Sequence, residues 1–435
     1  MDPRARTKLG VAGAATFAAL LASYSAFRPV RDALILDRNP DSLPWLWLGT
    51  FVVISIVSPA WSALLARRAP RRFVTLAFHV FAACAIVFFA VMRAGIAPVV
   101  VGRVFYVWSA VFNLFAISIF WSLLADLLGP ATARQLYGPI AAGGTIGAFC
   151  GPLLTQLLVR AIAPPGVVLM SALFLELAVV GVFWVRRAAA GLDPGTSAAP
   201  DTPPARSDAP IARGGPFTGI GHVARSPYLS AIVGYVLCTA CAATFLYLAQ
   251  ARIVYDARLD LTTRTRFFAS IDVWTQAAAF VLQTLIAAPA IRWLGPGLVL
   301  CALPIAQAAG LSVVALAPSL AAIAVVQVIG KSATHGLTRP ARELLFTVVT
   351  RDEKYRAKNA IDTIGYRIGD LASSWLNKGL AALGAGALAI ATFPLVAIWL
   401  GLAAIIGVGF RRRVTQPPAR SPAEAPPEAL AKEPT

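Results

Sequence analysis

Two stretches of this chain carry the same ordered set of charges. Arg28-Pro29-Val30-Arg31-Asp32 and Arg339-Pro340-Ala341-Arg342-Glu343 both read Arg-Pro-x-Arg-acid. Arginines three residues apart lie on one side of a helix. The adjacent acid can neutralise one of them, and the proline loosens the hydrogen-bond ladder and frees a carbonyl. A guanidinium fork matches the oxygens of a carboxylate or phosphate, so two such clusters suit an anionic ligand. The plainer alternative is two ordinary helix ends whose arginines reach out to solvent.

Other polar residues stand alone in apolar surroundings. Lys331 has no acid within one turn in sequence, which makes it the strongest single anion-site candidate. His335 follows one turn later; it either titrates near neutral pH or is held as a hydrogen-bonded residue. Asp362, Tyr366, Arg367 and Asp370 recur at helical spacing and share a stripe. Asp370, three residues after Arg367, reads first as its structural ion-pair partner. The expected substrate contacts are Arg28, Arg31, Lys331, Arg339, Arg342 and Arg367. Asp32, Asp126, His335, Glu343, Asp362 and Asp370 are expected to be structural or coupling residues. No catalytic set emerges, since the chain lacks a P-loop, a G-x-S-x-G and an H-E-x-x-H. The glycine-rich Gly138–Pro152 has no P-loop lysine and reads as helix packing. The five cysteines lie in apolar stretches as small packing residues. No metal or cofactor is expected.

The elements that must position these residues are membrane helices. Hydrophobic residues make up 58% of the 435 and charged residues only 13%, with mean hydropathy +0.72. Soluble domains run at about 45–50% apolar and about 25% charged. A bilayer accepts this excess; an aqueous fold does not. A net charge of +18 would suggest nucleic acid in a soluble protein. Here the charges lie mainly between apolar runs, so topology explains them and no nucleic-acid partner is expected.

Runs long enough to cross a bilayer, about 20 residues each, fall near 9–36, 43–66, 73–92, 97–125, 135–160, 166–185, 226–250, 267–290, 296–317, 319–349, 359–384 and 388–409. They are called spans one to twelve below. The first is too long for a signal-peptide core and reads as an uncleaved helix. Arginine and lysine concentrate in alternate loops, which places both termini and the central linker in the cytoplasm. Residues 188–225 are rich in Pro, Gly and Ala and read as a flexible linker. The resulting layout is an all-α polytopic protein: a six-helix bundle over 1–187, the linker, a second bundle over 226–410, and a disordered cytoplasmic tail over 411–435. Gly143-x-x-x-Gly147 in span five and Gly365-x-x-x-Gly369 in span eleven occupy matching places in the two halves, as an internal repeat with close helix packing would require.

Four stretches are similar to the ATP/ADP carrier family, the nucleotide transporters of plastids and intracellular bacteria. They are SYSAFRPVRDALIL (Ser23–Leu36), FYVWSAVFNLFAISIFWSLLADLL (Phe105–Leu128), RQLYGPIAAGGTIGAFCGP (Arg134–Pro152) and RPARELLFTVVTRDEKYRAKNAIDTIGYRIGD (Arg339–Asp370). The resemblance implies a major-facilitator-like fold and exchange of nucleotides such as ATP for ADP.

The sequence thus points to a secondary transporter of the bacterial inner membrane, working by alternating access between its two halves. It is expected to be a monomer in the lipid bilayer and to carry a small anion, with ATP/ADP first. Two alternatives stay open: a proton-coupled exporter of another solute, and a membrane-embedded lipid-handling enzyme. An enzyme would gather a base and a nucleophile at one membrane face. A transporter would turn its polar stripes toward one water-filled path.

Overall fold

The computed structural model describes residues 3–36, 42–66, 73–190, 226–349, 353, 369, 372–376, 378–379 and 385–415. Most of span eleven, the linker beyond Ala190 and the tail beyond Thr415 lie outside them, and with them Asp362, Arg367 and Asp370.

The described chain is almost entirely helical. Eight helices are long and apolar enough to cross a membrane among the described residues, and Leu43–Ser58 adds a shorter apolar one. Two of the eight each contain two spans. Pro130–Ala190 breaks at Ala163 (φ 57°, ψ 165°), directly before Pro164 and Pro165. Leu261–Leu316 breaks at Gly295 (φ 77°), before Pro296. Both breaks fall in the gaps expected between spans five and six and between spans eight and nine. Each uses a left-handed residue followed by proline, which cannot continue the preceding hydrogen-bond ladder.

Two helices carry single π-turns, Leu282–Ile286 in span eight and Thr334–Thr338 in span ten. They meet at Gly336, where an added Cβ would stand 2.6 Å from Leu282 Cβ and 2.9 Å from Ala279 O. A π-turn widens the helix by one residue and leaves part of the ladder unsatisfied, so it persists only where packing holds it. Here the missing side chain of Gly336 lets the two turns touch.

The chain forms two compact units. The first joins Met1–Ile211 with Leu246–Ala278 and Ala317–Val328. The second joins Ala212–Phe245, Ala279–Leu316 and Ile329–Thr435. In the first unit, Gly143, Gly147 and Gly151 of span five lie against Ala14, Ala18 and Ala22 of span one, small residues facing small residues at four-residue spacing. A Cβ at Gly151 would come within 2.6 Å of Ala22 O. This close approach holds spans one and five together without large side chains. Ser23 and Ser171 then exchange hydroxyl-to-carbonyl hydrogen bonds, both 2.9 Å, and tie span one to span six. The core around them is aromatic: Phe17, Phe27, Phe78, Phe105, Phe112 and Phe120.

The second unit shows the matching contact. Gly369 of span eleven packs on Ala240 of span seven, where a Cβ would meet Ala240 Cβ at 2.9 Å. Gly147 of span five and Gly369 of span eleven thus each present glycine to an alanine, of span one and span seven respectively. Trp399 and Tyr235 fill the centre of this unit, and the Tyr235 hydroxyl donates to Leu300 O at 2.8 Å.

Candidate functional site

The first charge cluster sits in the last turns of span one and lies wholly within the first unit. Pro29 is inside the helix Pro3–Ile35, and the helix end leaves carbonyls without partners. Side chains from other spans also bond carbonyls in this stretch. Thr155 Oγ1 donates to Ala26 O at 2.8 Å, and Arg264 Nη1 donates to Ala33 O at 2.9 Å. Arg264 also donates through Nη2 to Leu259 O at 2.8 Å, so one buried guanidinium joins the end of span one to the start of span eight.

Arg28 grips Asp272 of span eight with two donors. Its Nε lies 3.0 Å from Oδ2, and its Nη2 pairs with Oδ1. The Asp272 side chain is 5% exposed and that of Arg28 is 32% exposed, so the carboxylate is sealed while the guanidinium keeps one edge open. Arg31 turns to its neighbour. Its Nε and Nη2 donate to Asp32 Oδ1 at 2.9 and 2.7 Å. Its Nη1 reaches Tyr24 Oη at 3.4 Å, and its Cζ lies 5.0 Å from the Tyr106 ring centroid, within cation–π range. Trp47 Nε1 donates to Tyr106 Oη at 2.8 Å and its ring lies 5.6 Å from that of Tyr247. Arg28 and Arg31 thus each face a carboxylate beside aromatic rings, while a third cation, Arg264, is held by backbone carbonyls.

The second cluster lies on span ten in the second unit. Lys331, His335, Arg339 and Glu343 recur every four residues, and Arg342 flanks them. Lys331 and Arg342 are half-buried; His335, Arg339 and Glu343 are exposed. The π-turn Thr334–Thr338 sits at the centre of the stripe and carries His335. Among the described residues, Lys331, Arg339 and Arg342 put three permanent cations on this stretch of helix beside Glu343. Asp126, the remaining described member of the expected set, is exposed in the last turn of span four.

Asp272 was visible in the sequence as a lone acid in span eight, but its role as the partner of Arg28 was not. Arg264, Tyr24, Tyr106, Trp47 and Tyr247 gave no local signal of belonging to this cluster. Within the first unit, Gln327 Nε2 of span ten donates to Gln250 Oε1 of span seven at 2.8 Å, another buried polar link the sequence did not announce.

No family model matches the chain, and no curated protein matches it in sequence. Solved structures do match in shape. A bacterial homologue of the iron transporter ferroportin, in an inward-facing state, is 14% identical with a TM-score of 0.58 over 96% of this chain and 100% of that one. The nucleoside transporter NupG is 11% identical with a TM-score of 0.58 over 95% and 99%. A POT family transporter in complex with a thioalcohol-conjugated peptide is 13% identical with a TM-score of 0.59 over 93% and 96%. The fold is major-facilitator-like. One fold thus serves transporters as unlike as these, so it does not choose a solute.

Proposed function

We propose that this protein is a secondary transporter of an organic anion, and that the anion is a nucleotide exchanged in the manner of ATP for ADP. The observation that carries this reading is the charged face of span ten. An arginine or lysine at the middle of a bilayer costs about 2.5–3.5 kcal/mol on the insertion scale. A stripe holding Lys331, His335, Arg339, Arg342 and Glu343 in an otherwise apolar span is therefore expected to face water rather than hydrocarbon. Its cationic residue types fit an anion, and its arginines fit phosphate oxygens. The major-facilitator fold and the transporters that share it support alternating access. Similarity to the ATP/ADP carriers, carried by Ser23–Leu36 and Arg339–Asp370, supports the nucleotide.

Arg28 and Arg31 enter this reading as a latch, because each already holds a carboxylate. Separating Arg28 from Asp272 exposes a buried carboxylate and breaks two charge-assisted bonds. An empty carrier meets that cost in full. Anion binding to the span-ten stripe offsets it, so crossing is coupled to a bound solute and transport becomes exchange. Arg367, expected on span eleven, is a further anion contact in this scheme. With the arginine distribution setting topology, the latch stands toward the outside and both termini are cytoplasmic.

One observation favours proton coupling as a second reading. His79 of span three and Glu176 of span six lie 3.0 Å apart and are 49% and 44% exposed, a titratable pair on apolar helices that the exchange scheme does not use.

Liposomes preloaded with ADP are expected to take up external labelled ATP much faster than empty ones, with Lys331→Ala removing the difference. Equal uptake with and without internal nucleotide, together with no effect of nucleotides on thermal stability, removes the nucleotide from the proposal. Uptake that instead follows an imposed pH gradient, and is lost in Glu176→Gln, establishes the second reading.

A further inference from the structure

A groove at the end of span twelve changes character along its length. It is lined by Pro227 and Tyr228 at the start of span seven and by Ala404, Ile405, Val408, Gly409, Arg412 and Arg413 of span twelve, with a volume of about 490 Å³. The span-twelve residues come in adjacent pairs four apart, so they form one helix face. That face is apolar for two turns and then cationic. Ile405 and Val408 remain 54% and 53% exposed. Tyr228 forms the floor: its hydroxyl donates to Leu345 O at 3.0 Å, and its ring lies so close to Gly409 that an added Cβ would stand 2.7 Å from it. Arg413 sits over the same ring, 4.7 Å from its centroid. All of these residues belong to the second unit.

We propose that this groove binds an anionic phospholipid, with one acyl chain along Ile405 and Val408 and the phosphate on Arg412 and Arg413. The order along this helix face, apolar side chains followed by Arg412 and Arg413, is the order of groups in a phospholipid. A free phosphate would use the arginines and leave the apolar turns bare. Basic pockets between membrane helices at the cytoplasmic side suit acidic headgroups, and the arginine distribution places the Arg411–Arg413 run on that side. The inference concerns a different site from the exchange path and does not depend on the identity of the solute.

The test uses the full chain in neutral detergent, titrated with phosphatidylglycerol, with phosphatidylcholine of the same chain length, or with inorganic phosphate, following the unfolding midpoint. Phosphatidylglycerol is expected to raise the midpoint saturably; the other two are not. Arg412→Gln combined with Arg413→Gln should weaken that response about thirtyfold in apparent affinity, roughly fivefold per arginine. The double lysine variant should retain most of it, which separates lost charge from lost folding. Val408→Trp, which fills the groove, should also abolish the response. Equal responses to phosphatidylglycerol and phosphate, or an unchanged response in the double glutamine variant, would overturn the proposal. So would a response that emerges only after Glu424, Glu428 and Glu433 of the tail are changed to Gln, since the protein's own tail would then be the occupant.

Discussion

Arg28 is held by a carboxylate 244 residues further along the chain, whereas Arg339, at the matching place in the second Arg-Pro-x-Arg copy, is exposed on its helix face. The first copy sits in a regular α-helix whose Ala26 and Ala33 carbonyls accept from Thr155 and Arg264. The second follows directly on a π-turn. The five residues are nearly the same, and their neighbours are not. In the first copy two carboxylates and a ring of tyrosines consume the charge, leaving a lock. In the second, Arg339 stays exposed on its helix face, where a ligand could reach it. A motif states which groups are present; packing decides whether they are already spent.

The largest effect should come from breaking the lock on one side only. Asp272→Ala leaves Arg28 without its carboxylate in a partly buried place and is expected to destabilise the protein by about 3 kcal/mol, read as a fall in unfolding midpoint and in the yield of monodisperse protein. Arg28→Met combined with Asp272→Leu removes both charges and should restore most of that loss. If the single and double variants are equally unstable, the pair does not couple and the contrast between the copies collapses.

Next in size is the second copy. Arg339→Gln and Arg342→Gln should each weaken anion binding about tenfold, in line with about 1.5 kcal/mol for a hydrogen bond to a charged group. Protein yield should stay near the wild-type level, because neither arginine is buried. Transport that simply follows yield in these variants would make the stripe structural. A comparable, mixed effect is expected from Gly336→Ala. Its methyl would press on Leu282 Cβ at 2.6 Å, and overpacking of this kind costs about 1–3 kcal/mol. Because Gly336 lies within the stripe, affinity should fall together with stability.

The division between legible and illegible features follows sequence distance. The limits of the described spans, the breaks near Ala163 and Gly295 and the glycine face of span five could be read, because hydropathy, proline and small-residue spacing are local signals. The pairing of Arg31 with Asp32 was readable for the same reason. The Arg28–Asp272 bond was not, since nothing near either residue names the other. The π-turns were also invisible: Leu282–Ile286 and Thr334–Thr338 have ordinary helix composition, and the extra residue per turn is imposed by the Gly336 contact. In the second cluster, the four-residue recurrence of Lys331, His335, Arg339 and Glu343 was present in the sequence, and the structure adds which of them stay exposed.

The smallest effect tests the base of span eight, which carries both Arg264 and Asp272. Asp260 caps this helix: its Oδ2 accepts from the backbone N–H groups of Thr262 and Thr263, both at 3.1 Å. Bonding to the Thr263 side chain first, then to these amides, lowers its pKa below the ordinary carboxylate value. A lowered folded-state pKa contributes stability above the unfolded-state pKa, and that contribution fades as pH falls through the folded value. Asp260→Asn should therefore narrow the loss of stability on acidification below about pH 4, seen as a flatter acid limb in thermal melts. An acid limb identical to the wild type would show that the cap is not felt.

The central claim, that the span-one copy locks while the span-ten copy binds, is met most directly by equilibrium ADP binding measured on two variants beside the wild type. Arg28→Gln with Asp272→Asn should bind ADP within about threefold of wild type, and in liposomes should take it up without needing internal nucleotide. Arg339→Gln should lose about tenfold in affinity and still require internal nucleotide for what uptake remains. The reverse pattern, with binding lost in the span-one double variant and kept in Arg339→Gln, would contradict the assignment of roles to the two copies.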